Sequence, residues 1–249
     1  MPLTKKQQEI LLSSLLGTRI YTFVIIALYA GLRREEVLGL QWDCVFLEAD
    51  DPYISVQRSV TWKNNRPIIS EILKSDAARR VIPIVPELAD HLTAEKEKSK
   101  GKFVIGGQYP LTETGFRRRW EAIDTRSTYT ETTIDKNGKE VEIEHKLGEK
   151  IKYHNDLYLS IDFHVTPHLL RHTYITRLIL AGVNIKVVQY LAGHATVDIT
   201  LNIYTHLMEH SPKDTAGAVF AAFDIIKSVA PSLASEGAIA AELAPIISG

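Results

Sequence analysis

The chain has 249 residues, with 29 Lys and Arg against 30 Asp and Glu, a formal net charge of -1, 45% hydrophobic residues and 24% charged ones. This composition excludes collagen-like, low-complexity and disordered classes, and the length suffices for one large domain or two small ones. A single cysteine, Cys44, excludes a disulfide framework and a cysteine-based zinc site. There is no basic-then-apolar leader and no apolar run of the ~18 residues that a membrane span needs, so a soluble, cytoplasmic chain with no membrane partner is expected. Because acidic and basic residues balance, any nucleic-acid contact must come from a local basic patch.

Thr4 followed by Gln7 has the pattern of a capping box, and Leu11, Leu12, Leu15 and Leu16 give the apolar stripe of a first helix, with Gly17 as its expected end. A second, apolar helix is expected from Arg19 to Ala30, stopped by Gly31, and a short charged one from Arg33 to Leu40. Residues 45–84 then change to strand character. Tyr53 to Val56 alternates, Asn64-Asn65 is a turn signal, and Pro67 to Leu73 and Arg79 to Ile84 read as two further strands of a three-stranded antiparallel meander. Helices are expected after Pro86 and near Thr112, the second carrying Arg117, Arg118 and Arg119. Residues 124–161 are rich in β-formers around Asn137-Gly138, which predicts an inserted hairpin with one further strand. From Thr166 to His206 the chain reads as helical again, and the alanine-rich tail 211–249 offers Phe220 and Phe223 as helical anchors.

Six of the nine histidines lie between His164 and His210. Thr166-Pro167 is a capping residue followed by a first-position proline, so His168, Arg171 and His172 fall on one face near a helix N-terminus, where an anion is favoured. His168 and His172 also have the spacing of a zinc-binding helix pair. Leu169, however, stands where the metalloprotease pattern needs Glu, and Arg171 between the two opposes a dication; no metal is expected. A short helix, Asn184 to Ala192, is closed by Gly193 and leads straight into His194. Tyr204 follows ten residues later, and taken alone it reads more simply as a packed aromatic.

Taken in order, Gly31-Leu32-Arg33 with Glu36, His168-Leu169-Leu170-Arg171, Leu191-Ala192-Gly193-His194 and Ile203-Tyr204-Thr205-His206 resemble the boxes of the tyrosine recombinases, the phage-integrase family. Lys74, followed by Arg79-Arg80-Val81-Ile82-Pro83, matches that family's β-hairpin lysine and strand. The resemblance covers Thr4 to about Tyr204 and implies a mainly helical α+β catalytic domain over 1–210. Segment 124–161 is similar to the β-insertion of conjugative-transposon integrases, and 211–249 would be a tail docking in a neighbouring subunit. The family's usual N-terminal DNA-clamping domains do not occur among these residues, so the chain is expected to be a piece of a longer protein.

The implied activity is site-specific cleavage and rejoining of double-stranded DNA through a 3′-phosphotyrosine, in a mobile element. Tyr204 would be the nucleophile, Arg33 and Arg171 the phosphate clamp and Lys74 the general acid, while His168 would handle the tyrosine proton or orient the phosphate and His194 would donate a hydrogen bond to phosphate. Glu36 would support Arg33, a role compatible with the ordinary helix-surface ion pair that the two residues' spacing also allows. His206 and His210 would be structural or near DNA. The chemistry needs no cofactor and no metal. The implied assembly is a homo-tetramer on DNA, with accessory DNA-bending factors. Lys63, Arg66, Arg117, Arg118 and Arg119 are the candidates for DNA phosphate contacts, the arginine run reading equally as a solvated helix face. A type IB topoisomerase and a non-cleaving DNA-binding fragment are the competing readings.

Overall fold

Thr4 starts the first helix as its spacing predicts. Its hydroxyl accepts from Gln7 N at 3.2 Å, and Gln7 Oε1 accepts from Thr4 N at 2.9 Å. The computed structural model describes residues 1–71, 78–136, 138–152, 154 and 156–209, with only the helical backbone described for 204 and 206–209. A first compact unit spans Met1–Leu201 and a second begins at Asn202. Lys74 and the tail 211–249, with Phe220 and Phe223, lie outside the described residues, as does His210.

Helix α1 (Lys5–Leu15) buries Leu11 and Leu15. Helix α2 (Tyr21–Ala30) is apolar all round and buries seven of its ten residues, which makes it the centre of the core. Each fully buried Leu, Ile or Phe along it contributes roughly 1.5–3 kcal/mol relative to exposure. Gly31 ends α2 in the left-handed region, with φ of 62°. Helix α3 (Arg34–Gly39) follows, and then one 3-10 turn at Trp42–Cys44.

A three-stranded antiparallel sheet is present as expected, but its strands are not all those of the expected meander, and a two-stranded sheet stands apart from it. Strands β1 (Val45–Phe46), β2 (Tyr53–Val56) and β5 (Arg80–Pro83) form an antiparallel sheet in the order β1-β2-β5, with Ile54 opposite both Val45 and Ile82. Strand β3 (Ser59–Lys63), which the sequence reading passed over, pairs instead with β4 (Arg66–Ser70) in its own hairpin. Asn64 and Asn65 close that hairpin with φ of 51° and 63°. The reason lies in the pleat. β2 and β5 each bury alternate residues, Ile54 and Val56 on one and Arg80 and Ile82 on the other, so the core selects them as partners. β4 leaves Ile68 49% exposed and cannot occupy a core strand.

Helix α4 (Pro86–Lys98) begins on its proline, and α5 (Glu113–Asp124) is capped by Thr112, whose hydroxyl accepts from Gly115 N at 3.0 Å. The inserted hairpin is present as β6 (Tyr129–Ile134) and β7 (Glu140–His145), exposed along almost its whole length. After it come isolated bridges, Lys150 with Tyr158 and Ser127 with Ile161, in place of the further strand. Helix α6 (Pro167–Leu180) packs on α2 and starts at Thr166, whose hydroxyl accepts from Leu169 N at 3.1 Å. Helix α7 (Ile185–Ala192) ends at Gly193 with φ of 61°, and α8 (Val197–Glu209) follows. Among the described residues no helix is long and apolar enough to cross a membrane.

Candidate active site

Arg33 sits at the start of α3, where the left-handed turn at Gly31 redirects the chain out of the core helix. Its backbone N–H donates to Glu36 Oε2 at 2.8 Å and its Nη1 to Glu36 Oε1 at 2.9 Å. Its Nη2 donates to Gly193 O at 2.7 Å, 160 residues away, leaving the side chain one-third exposed. The simple i,i+3 ion pair expected from the sequence is therefore one edge of a larger network.

Arg80, quoted in the sequence reading only as part of a strand, was given no role in the site. Its side chain is fully buried, and its Nη1 and Nη2 grip Glu36 Oε1 and Oε2 at 3.0 and 2.9 Å. Nε donates to Leu191 O at 2.8 Å and Nη1 also to Ala78 O at 2.9 Å. The available signal was its parity with Ile82: an arginine on the core-facing side of a strand must find partners inside. Burial pushes the Glu36 carboxyl up, but Arg80 and then Arg33 outweigh it and hold it down at about 2. Glu36 therefore remains an anion that fixes both guanidiniums.

Arg171, on α6, is 4% exposed. Its Nη1 donates to Gly31 O at 2.5 Å and its Nη2 to Ala192 O, joining the end of α2 to the end of α7. Burial and then the nearby Arg33 push its guanidinium down to about 9, so it stays charged at neutral pH in a setting that disfavours the charge. His194, held at the exit of α7, is 8% exposed, with Nδ1 2.9 Å from Thr200 Oγ1. Burial, then Arg171 and Arg33, hold its imidazole down at about 4, so it is neutral at pH 7. His168 stands exposed in the first turn of α6.

Arg33, His168, Arg171 and His194 line one cavity of about 500 Å³ with Thr166, Pro167, Ile199 and the Arg34–Glu35 ion pair, in which the Glu35 carboxylate is already matched by a cation. Arg33 and Arg80 share the single carboxylate of Glu36, and the Arg171 guanidinium, held by backbone carbonyls instead, adds a third positive charge close by. The cavity is thus built for an anion, and a phosphate with its several acceptor oxygens matches the donors that face it. His172 is half-buried on the same helix as His168 and does not line this cavity. Tyr204 and His206 fall on α8, their side chains outside the described residues.

The proposed DNA contacts separate. Lys63 and Arg66 face each other across the exposed turn of the β3–β4 hairpin. Arg117 and Arg118 are exposed, whereas Arg119 lines a different cavity with Arg19 and His91. Residues two positions apart on a helix, such as Arg117 and Arg119, differ by about 200° in direction, so one run of arginines serves two faces.

Two glycines make the network possible. A Cβ on Gly31 would lie 2.1 Å from the Tyr174 ring, and one on Gly193 would lie 2.9 Å from Arg80 Nη1, both at positive φ. Gly31→Ala is accordingly expected to cost ~2–4 kcal/mol of unfolding free energy, combining backbone strain with overpacking. Urea titration measures it, and an unchanged midpoint would contradict the close approach of Tyr174.

A family model described as the phage integrase family matches residues 3–210. The chain is 30% identical over 218 residues to a tyrosine recombinase XerC-like protein of Caldanaerobacter subterraneus subsp. tengcongensis, covering 83% of this chain and 49% of that protein. It is 28% identical over 210 residues to the transposase from transposon Tn916 of Enterococcus faecalis, covering 82% of this chain and 47% of the transposase. The chain spans about half the length of these relatives. Among solved structures it is similar to the Tn1549 transposon integrase in complex with transposon right end DNA, with a TM-score of 0.63 and 26% identity over 90% of this chain and 66% of that one. A XerA recombinase shares the fold at 17% identity, with a TM-score of 0.50 over 86% of this chain and 66% of that one.

Proposed function

Because this chain belongs to the phage integrase family, we propose that it is the catalytic part of a site-specific DNA recombinase of a mobile element, cleaving and rejoining strands through a 3′-phosphotyrosine. The observation that carries this reading is the convergence of Arg33, His168, Arg171 and His194, from three separate segments, on one anion-suited cavity. The transposon relative, and a structural neighbour solved in complex with transposon right end DNA, support double-stranded DNA as the partner.

In this mechanism Arg33 and Arg171 hold the non-bridging oxygens of the scissile phosphate, where planar donors match the charge that grows in the transition state. His194 is neutral at pH 7. With Thr200 donating to Nδ1, its Nε2–H is left to donate to the same phosphate. The Tyr204 phenolic oxygen attacks phosphorus, and a P–O(Tyr) bond forms as the P–O5′ bond breaks. His168 takes the phenolic proton and Lys74 gives one to the leaving 5′-oxygen. One phosphodiester replaces another, so a later 5′-hydroxyl reverses the step with no external energy. Charge neutralisation comes from guanidiniums, and the reading calls on no cofactor and no metal. Residues 1–210 form the catalytic domain, with the β6–β7 hairpin as an insertion. The tail 211–249 docks in a neighbouring copy within a tetramer on DNA, and accessory DNA-bending factors assist.

The test is covalent trapping on nicked duplexes with a randomised half-site in EDTA, read on a denaturing gel. A protein–DNA adduct is expected that disappears in Tyr204→Phe, and the trapped DNA gives the target site. Duplex binding with no adduct would favour a non-cleaving fragment, and site-independent relaxation of supercoils would favour a type IB topoisomerase.

A further inference from the structure

Next to the catalytic cavity lies a second hollow of about 330 Å³ that shares Arg34 and Pro167 with it. Its apolar part is aromatic: Phe116 and Trp120 lie 5.7 Å apart between ring centroids and both pack on Phe23. Its polar part is Arg117, Glu113 and Asn65. The walls are fixed in place. Asn65 Oδ1 accepts from Thr114 N at 2.9 Å, and Trp62 Nε1 donates to Leu111 O at 3.0 Å, so the β3–β4 turn is stapled to the start of α5. Arg34 is held by Glu35 at 2.8 Å and lies over Trp62. Arg117 and Glu113, by contrast, have no hydrogen bond or ion pair among the described residues, so their polar groups stand ready for something else.

This lining is wrong for a phosphate and right for a base. Glu113, unlike the Glu35 that Arg34 pairs in the catalytic cavity, has no cation partner among the described residues and repels a phosphate, and an aromatic surface gives a phosphate no donor. A base-pair edge in the major groove instead presents acceptors, donors and apolar carbon together. Guanidinium donors suit guanine O6 and N7, a carboxylate suits the cytosine N4 amine, and the Asn65 amide keeps its Nδ2 donors because only its Oδ1 is engaged.

We propose that this hollow is a base-reading subsite that takes the major-groove edge of a G·C pair adjoining the scissile phosphate, with Arg117 reading guanine and Glu113 reading cytosine. The proposal rests on the DNA-recombinase reading and deepens it: Arg117 becomes a specificity residue, and Arg118, pointing elsewhere on α5, remains a candidate phosphate contact.

The experiment is a binding selection, with no cleavage step, of the whole chain on a randomised duplex pool, followed by sequencing and by affinity measurements across salt. The wild type is expected to enrich G·C at one position beside the cleavage point found by trapping. Arg117→Ala should lose that preference by about tenfold or more, with other positions and the salt slope unchanged. Glu113→Gln should relax the same position. Arg118→Ala is the comparison, expected to weaken all sequences alike. Both arginines are exposed, and an unchanged melting temperature checks the fold. If Arg117→Ala weakens every sequence equally and lowers the salt slope by about 1, Arg117 is a phosphate contact and the proposal fails. An unaltered preference, or no binding to any duplex, also overturns it. A G·C preference lost in Arg117→Ala, together with no Tyr204-dependent adduct, would keep the subsite and overturn the recombinase reading instead.

Discussion

Arg80→Met is expected to lower the unfolding free energy at pH 7 by ~3–5 kcal/mol, because it strips a buried carboxylate of its bidentate partner. Glu36 keeps Arg33, which places the loss toward the lower end. The effect carries a pH signature whose sign follows from the Glu36 carboxyl. In the wild type its value is lowered from 4.5 to about 2, so its stabilisation is complete above 4.5 and is lost as pH falls toward 2. Without Arg80, burial dominates and the carboxyl value rises. The penalty is then largest at neutral pH and shrinks as acid protonates Glu36. Urea unfolding at pH 7 and pH 4.5 reads both quantities. Equal penalties at the two pH values would show that Arg80 acts through packing and not through the Glu36 charge. The double variant Arg80→Met/Glu36→Gln should recover part of the loss, since no buried anion is left unpaired.

On the proposed phosphotyrosine mechanism, Arg171→Lys is expected to reduce the rate of covalent adduct formation by ~10²–10³-fold, the scale on which one preorganised donor to a transition-state oxyanion acts. A single ammonium cannot hold Gly31 O and Ala192 O and also present a planar fork to the phosphate. Duplex affinity should change far less, because ground-state binding draws on many phosphates while the clamp acts on one. Single-turnover trapping beside a binding isotherm separates the two. A loss of affinity as large as the loss of rate would place Arg171 in general DNA binding rather than in stabilising the transition state. The same variant should also lose stability, because Arg171 ties the ends of α2 and α7 together.

Much of this was legible in the sequence, for identifiable reasons. Thr4 with Gln7, Thr112, Thr166 with Pro167, Asn184, Gly31 and Gly193 each mark a helix end, because capping is settled within a few residues of chain. The β6–β7 hairpin was legible because runs of strand-formers flank Asn137-Gly138, a turn signal carried by neighbouring residues. The partners of β2 were not: Tyr53 to Val56 reads equally well beside β4 or β5, and only the burial of Ile54 against Ile82 decides between them. Arg80 went unread because a basic residue in a strand signals no partner until the core around it exists. Arg117 and Arg119 went unseparated because a run of like residues looks like one patch until a helix turns them onto different faces.

The sequence by itself determined most of the helix ends and the order of the four boxes, since each depends on short stretches of neighbouring residues. Only the tertiary structure decided which basic residues share a cavity. Arg33 meets Gly193 across 160 residues, Arg171 meets Gly31 across 140 and Arg80 meets Leu191 across 111. Those meetings are set by how α2, α6, α7 and β5 pack, and buried guanidiniums then take whichever carbonyls and carboxylate the packing brings within reach.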